Sequence, residues 1–197
     1  MFKFLNWVLR LIGTAIVLVV IFVVLNMIVL SSAKADLYQG GQPGTLQADG
    51  IVYYFPDDDW NSEKSHIMEM SLPILEDGNI DTVYIFGTSK TVLAAEKYLE
   101  DNHIQVNYVT NTNGLSVYEM SYALGKLLDV ESIVLVDNEN RLQRALYDIK
   151  KFDLEVTGYP VERLKNGDIF EMLYEGTTAV KDFCVVNVYQ YEPGKLK

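Results

Sequence analysis

Between Leu11 and Leu30 the chain is an almost unbroken run of Leu, Ile, Val and Phe, with only Gly13, Thr14 and Asn26 as mild interruptions. Twenty helical residues rise about 30 Å, the thickness of a bilayer's hydrocarbon core. Nothing else in the sequence restricts the fold as strongly, because such a segment has no place in a small soluble core. Lys3 and Arg10 precede the run, whereas Lys34 and Asp36 nearly cancel just after it. The bias of basic residues toward the inside then predicts a single-pass cell-membrane protein, N-terminus cytoplasmic and remainder extracytoplasmic. Trp7 is placed as an interfacial anchor. A cleaved signal peptide competes with this reading, since Ala33-Lys34-Ala35 has the small-x-small pattern of a cleavage site. Against it, the apolar run exceeds the usual h-region of about 7–15 residues. Both readings export the rest of the chain.

The chain therefore divides into an anchor or signal peptide (1–35), a linker (36–49) and one α/β domain (50–197). The linker is rich in Gly, Gln and Ala, and its composition predicts a loosely packed segment. The domain part is of ordinary single-domain size. Its partners are restricted by charge: 27 acidic against 16 basic residues give a net charge of -11. Such a surface repels polyanions, so nucleic acid is excluded as a partner, while a local basic pocket for a small phosphate compound is not. Cys184, the single cysteine, excludes an intrachain disulfide, and the two histidines, His66 and His103, have no metal-ligand spacing.

Past the linker, short apolar runs alternate with helix-like stretches. Strands are predicted over 51–55, 82–86, 106–109, 132–136 and 154–159. Helices are predicted over 63–75, with Pro73 shortening or kinking the end, and over 92–102, 116–128 and 140–152. Residues 168–191 are expected to be mainly helical. Strands separated by helices of this length imply a mainly parallel sheet covered on both faces, a Rossmann-like three-layer α/β/α domain.

In such a sheet, ligands collect beyond the carboxyl ends of the strands. Five stretches qualify: 56–59, 87–90, 111–113, 137–141 and 160–163. Gly87-Thr88-Ser89-Lys90 is a glycine turn entering a helix N-terminus, with N–H groups, hydroxyls and an ammonium suited to an anion. It lacks the glycine spacing of a P-loop or dinucleotide fingerprint, and a plain strand-to-helix turn capped by Thr88 or Ser89 is the simpler reading. In 137–141, Asn138 and Arg141 are candidate ligands, and Arg144 shares a helical face with Arg141, so the two arginines suit a phosphate or carboxylate clamp, simple surface placement being the plainer reading. Asp57 and Asp59 are weak candidates for a divalent cation, a solvated acidic loop being the simpler reading. No nucleophile–base–acid set is evident, so the residues alone do not demonstrate catalysis and name no cofactor.

The order of features from about Asp49 onward resembles the SanA/ElyC/YdcF family of envelope proteins. The most specific stretch is Ser132-Ile133-Val134-Leu135-Val136 followed by Arg141-Leu142-Gln143-Arg144-Ala145, similar to that family's apolar strand, polar turn and His-x-x-Arg-Ala helix start. Gly87 falls at the family's Ser-Gly-Gly loop and Glu119 at its acid after Ser-x-Asn-Thr. Phe170-Glu171 and Tyr191-Glu192-Pro193 are similar to the Arg-Glu-x helix and closing Arg-Glu-Pro of SanA-like members. The chain departs from the pattern where Arg141 replaces His, Phe86 and Thr88 flank Gly87, and Ser116-Val117 stands for Asn-Thr. The resemblance implies a role in envelope barrier function or wall synthesis with a phosphate-bearing precursor as partner; one branch of the family is said to bind S-adenosylmethionine. Two further expectations compete with it: a non-catalytic envelope scaffold with a degenerate site, and a hydrolase or transferase using Asp57, Asp59 or Glu119.

Overall fold

The computed structural model describes residues 2–33, 36–40, 45–76, 79–112, 116–128, 130–161, 176–178, 180, 181, 183 and 184. The elements follow one another as α1 (Phe2–Ala33), β1 (Gly50–Phe55), α2 (Ser62–Glu76), β2 (Thr82–Gly87), α3 (Ser89–Asp101), β3 (Asn107–Asn111), α4 (Val117–Tyr122), β4 (Ser132–Asp137), α5 (Glu139–Ile149) and β5 (Glu155–Pro160). Each predicted strand is present. Of the predicted helix over 168–191, residues 176–178, 180, 181, 183 and 184 are described and all are helical; the rest of it lies outside the described residues.

All five strands are parallel, in the order β3-β2-β1-β4-β5. The chain winds outward from β1 to β3 and then crosses back to lay β4 on the other side of β1. Strand order thus reverses between β1 and β4, where doubly wound sheets have their ligand crevice beyond the strands' carboxyl ends. Burial on both faces explains why β1, β2 and β4 are nearly continuous apolar runs. On one face Ile51, Tyr53, Ile85 and Val134 pack against Ile67 and Met68 of α2 and Val92 and Leu99 of α3. On the other, Val52, Phe86 and Leu135 pack against Met120 of α4 and Leu142, Leu146 and Ile149 of α5. The result is the expected three-layer α/β/α arrangement.

Two helices depart from the predicted pattern. Pro73 lies inside α2, which nonetheless runs on to Glu76. The predicted helix over 116–128 is α-helical only through Tyr122 and continues as a π-helical segment over Ala123–Leu127.

Helix α1 exceeds the apolar run at both ends, and 24 of its residues, Asn6–Val29, are long and apolar enough to cross a membrane. Residues 9–21 are exposed all round, but from Phe22 onward one side is covered: Phe22, Leu25 and Asn26 are half-buried and Val29 is fully buried. Helix α1 contacts α5, and Phe22 and Asn26 lie beside Gly176. Lys150, just past α5, donates to the Ser32 carbonyl and pairs with Asp36 at 2.6 Å. The linker begins as a packed segment too, contrary to its loose composition. Leu37 forms a parallel bridge with Gly158, and the Tyr38 N–H donates to the Gly158 carbonyl at 2.8 Å. The Tyr38 ring stacks on Tyr159 with centroids 5.5 Å apart. One β5 edge group is thereby paired by the chain's own approach to the domain.

Candidate functional site at the strand-order reversal

The crevice between β1 and β4 is rimmed by the starts of α2 and α5, and charged side chains from both meet there. Asp137 ends β4 and is buried. Its Oδ1 accepts from the Asn138 N–H at 2.7 Å and from Arg141 Nε at 3.0 Å, one helical turn on. Burial, with a smaller push from Glu63, raises the Asp137 carboxyl to about 6 against the opposing effects of Arg141, the Asn138 N–H and Arg144. Arg144 therefore stands within electrostatic reach of the same carboxylate.

Across the crevice, Glu63 in the first turn of α2 reaches to α5. Its Oε1 accepts from the Asn138 side-chain amide at 2.8 Å and from Arg141 Nη2. Asn138 is the N-cap of α5, yet its side chain makes no capping hydrogen bond to its own helix. An N-cap Asn ordinarily satisfies an N–H two or three residues on. Here the amide is turned outward instead, so that Asn138 and Arg141 together present two donors to one carboxylate oxygen. Asn138 and Arg141 thus meet at Glu63, and Arg144 acts on the neighbouring Asp137. Glu63 and Asp137 complete the cluster. Asp137 begins one of the carboxyl-end stretches, but Glu63 shows only as a helix-start acid. Their meeting depends on β1 lying beside β4.

The turn after β2 is built differently. Thr88 and Thr91 form a reciprocal capping box: the Thr88 N–H donates to Thr91 Oγ1 at 3.1 Å, and the Thr91 N–H donates to Thr88 Oγ1 at 3.4 Å. Thr91 Oγ1 also donates to the Phe55 carbonyl at 3.1 Å. Gly87 is required by closeness. A Cβ there would lie 2.5 Å from the Phe55 carbonyl oxygen and 2.8 Å from Thr91 Oγ1. Ser89 opens α3, and exposed Lys90 lies 3.6 Å from Asp58. This turn closes on itself and on β1, which is the plain strand-to-helix reading of Gly87-Thr88-Ser89-Lys90.

Glu119 is likewise occupied locally. Its Oε2 accepts from the Ser116 N–H at 3.2 Å and the Ser116 hydroxyl at 3.0 Å, while the Glu119 N–H donates to Ser116 Oγ at 3.1 Å. The capping-box spacing, rather than the family correspondence, describes its contacts. Asp57 pairs with Lys64, a lysine only 3% exposed, which also donates to the Asp59 carbonyl. A buried ammonium thus sits in the acidic loop where the sequence suggested a cation. Among the described residues no group of three His, Cys, Asp or Glu is placed to hold a metal ion.

A separate groove of about 520 Å³ lies beside β5, lined in part by Asp36, Tyr38, Lys150 and Thr157. It shares no residue with the crevice. The chain matches no family model, no curated protein and no solved structure.

Proposed function

We propose that the protein is a single-pass cell-membrane protein, N-terminus cytoplasmic, that holds a SanA/YdcF-like domain outside the cytoplasm. There it contributes to envelope barrier function or wall synthesis by binding a phosphate-bearing precursor in the crevice between β1 and β4. The observation that carries this reading is the pair of donors, Asn138 and Arg141, aimed at one carboxylate oxygen where ligands gather in doubly wound sheets. Arg144 adds a second cation to the same face. An apolar helix that could cross a membrane supplies the tether, and the basic residues before it set the orientation. The net charge of -11 is compatible with one small anion in a local basic pocket and unfavourable for a polyanion.

The test is calorimetric titration of the full-length protein in detergent with nucleotide-sugar and lipid-linked phosphates. The wild type is expected to bind at least one of them, and the Arg141→Ala/Arg144→Ala double variant to lose that binding. Equal binding by both proteins contradicts the assignment.

A second reading, a non-catalytic envelope scaffold, is favoured by one observation: Arg141 is already engaged by both Glu63 and Asp137. Crosslinking in membranes separates the two. Ligand binding without any stable protein partner rejects the scaffold.

A further inference from the structure

Glu63 holds the position an anionic ligand of this crevice would need. Its Oε1 is the single point on which the Asn138 amide and Arg141 Nη2 converge. The carboxylate arrives from α2, on the opposite face of the sheet from α5. It is therefore a tethered anion bridging the mouth between the two helices. The arginine is held in place independently, because its Nε remains on Asp137 at 3.0 Å. With Glu63 released, the guanidinium would still be held through its Nε on Asp137 and could offer Nη2 to another oxygen. The bridge is also accessible: the Glu63 side chain is 49% exposed and that of Arg141 31%. Solvent screening keeps such pairs weak, so a competing oxyanion can displace the carboxylate.

We infer that Glu63 is a built-in competitor, a specificity-determining gate that occupies the oxyanion subsite formed by Asn138 and Arg141 and yields it only to a ligand with a phosphate-type anion. This rests on the crevice being the binding site. It adds that affinity is set by exchange between the tethered carboxylate and the ligand's oxygens. A neutral ligand has nothing to offer Arg141 in exchange for Glu63. A monocarboxylate offers the same group that Glu63 already supplies, whereas a phosphate brings more charge and more acceptor oxygens.

The experiment is titration of the full-length protein in detergent with inorganic phosphate, followed by calorimetry, with acetate in a parallel arm. Phosphate is expected to bind Glu63→Ala about fivefold to tenfold tighter than the wild type, with Glu63→Gln between them. The gain is expected to vanish in Glu63→Ala/Arg141→Ala, and acetate is expected to gain less than phosphate. Glu69→Ala removes an equal charge from the exposed side of the same helix and is expected to change affinity by less than about twofold. Glu63→Gln keeps the side chain's size, so a folding defect in the alanine variant does not decide the outcome. Equal gains from Glu69→Ala and Glu63→Ala overturn the gate, reducing it to bulk charge. Equal phosphate affinity in wild type and Glu63→Ala, still abolished by Arg141→Ala, overturns the gate but keeps the crevice as a site. Binding by none of the proteins overturns both.

Discussion

Two strand-to-helix turns on the same edge of the sheet solve the same problem in opposite ways. After β2, the N-cap Thr88 turns inward and exchanges hydrogen bonds with Thr91, which in turn holds the Phe55 carbonyl of the neighbouring strand. After β4, the N-cap Asn138 leaves its helix without a side-chain cap and sends its amide across the crevice to Glu63. The first turn commits its polar groups to its own stability. The second directs them at another element, at the one place where strand order reverses. A helix start that forgoes local capping, with an arginine one turn on reaching the same carboxylate, is what distinguishes this turn from the glycine-bearing one. By composition alone, the Gly87 turn was the more attractive of the two.

The largest effect expected from this contrast is structural. Gly87→Ala places a methyl group 2.5 Å from a backbone oxygen that cannot move without disturbing the β1–β2 pairing. A loss of about 3 kcal/mol is expected, at the upper end for overpacking, and denaturant unfolding measures it. A loss below about 1 kcal/mol would mean that this turn is looser than its close contacts imply, and would reopen it as a ligand loop.

The next effect belongs to the second turn and depends on pH. The folded-state pKa of Asp137 is raised to about 6 from 3.8, chiefly by burial. The sign is set by linkage: an acid with a raised folded pKa contributes stability that is fully present below the unfolded pKa and is lost as pH rises through the folded one. Unfolding of wild type and Asp137→Asn compared between pH 4 and pH 7.5 should therefore show the variant gaining on the wild type. A relative gain of about 2 kcal/mol across that window is expected, on the order of 1.4 kcal/mol per pKa unit. A flat difference would show that the ion pair with Arg141 offsets burial fully.

The smallest effects sharpen the contrast most. Thr88→Ala removes a working cap and should cost about 1 kcal/mol, whereas Asn138→Ala removes a side chain that caps nothing and should cost about 0.5 kcal/mol or less. Melting both variants beside the wild type checks this. Equal losses would erase the distinction between the turns.

Much of the fold was legible in the residues themselves. Ile133-Val134-Leu135-Val136 is apolar because both faces of β4 are covered, and Ser116 with Glu119 announced the cap that opens α4. The weakest strand signal, Asn107–Asn111, belongs to β3, an edge strand whose residues are mostly exposed. Its burial could not impose a pattern. Lys64 was not legible as the partner of Asp57, because nothing in a lysine at the start of a helix predicts its burial. Of the site, the half carried by one segment was readable: Asn138, Arg141 and Arg144 share a turn and a helix start. The Glu63 half was not, since residues 75 and 78 positions apart meet only through the placement of β4 beside β1.

The most direct test compares the two turns in one sample. Full-length protein labelled with ¹⁵N in detergent micelles is titrated with inorganic phosphate, while the side-chain signals of Asn138 and Arg141 Nε and the backbone amides of Thr88 and Thr91 are followed by NMR. If the turn after β4 is the anion site, the Asn138 and Arg141 signals move in a saturable way and those of Thr88 and Thr91 stay in place. Saturable shifts at Thr88 and Thr91 with Asn138 and Arg141 unmoved would contradict it.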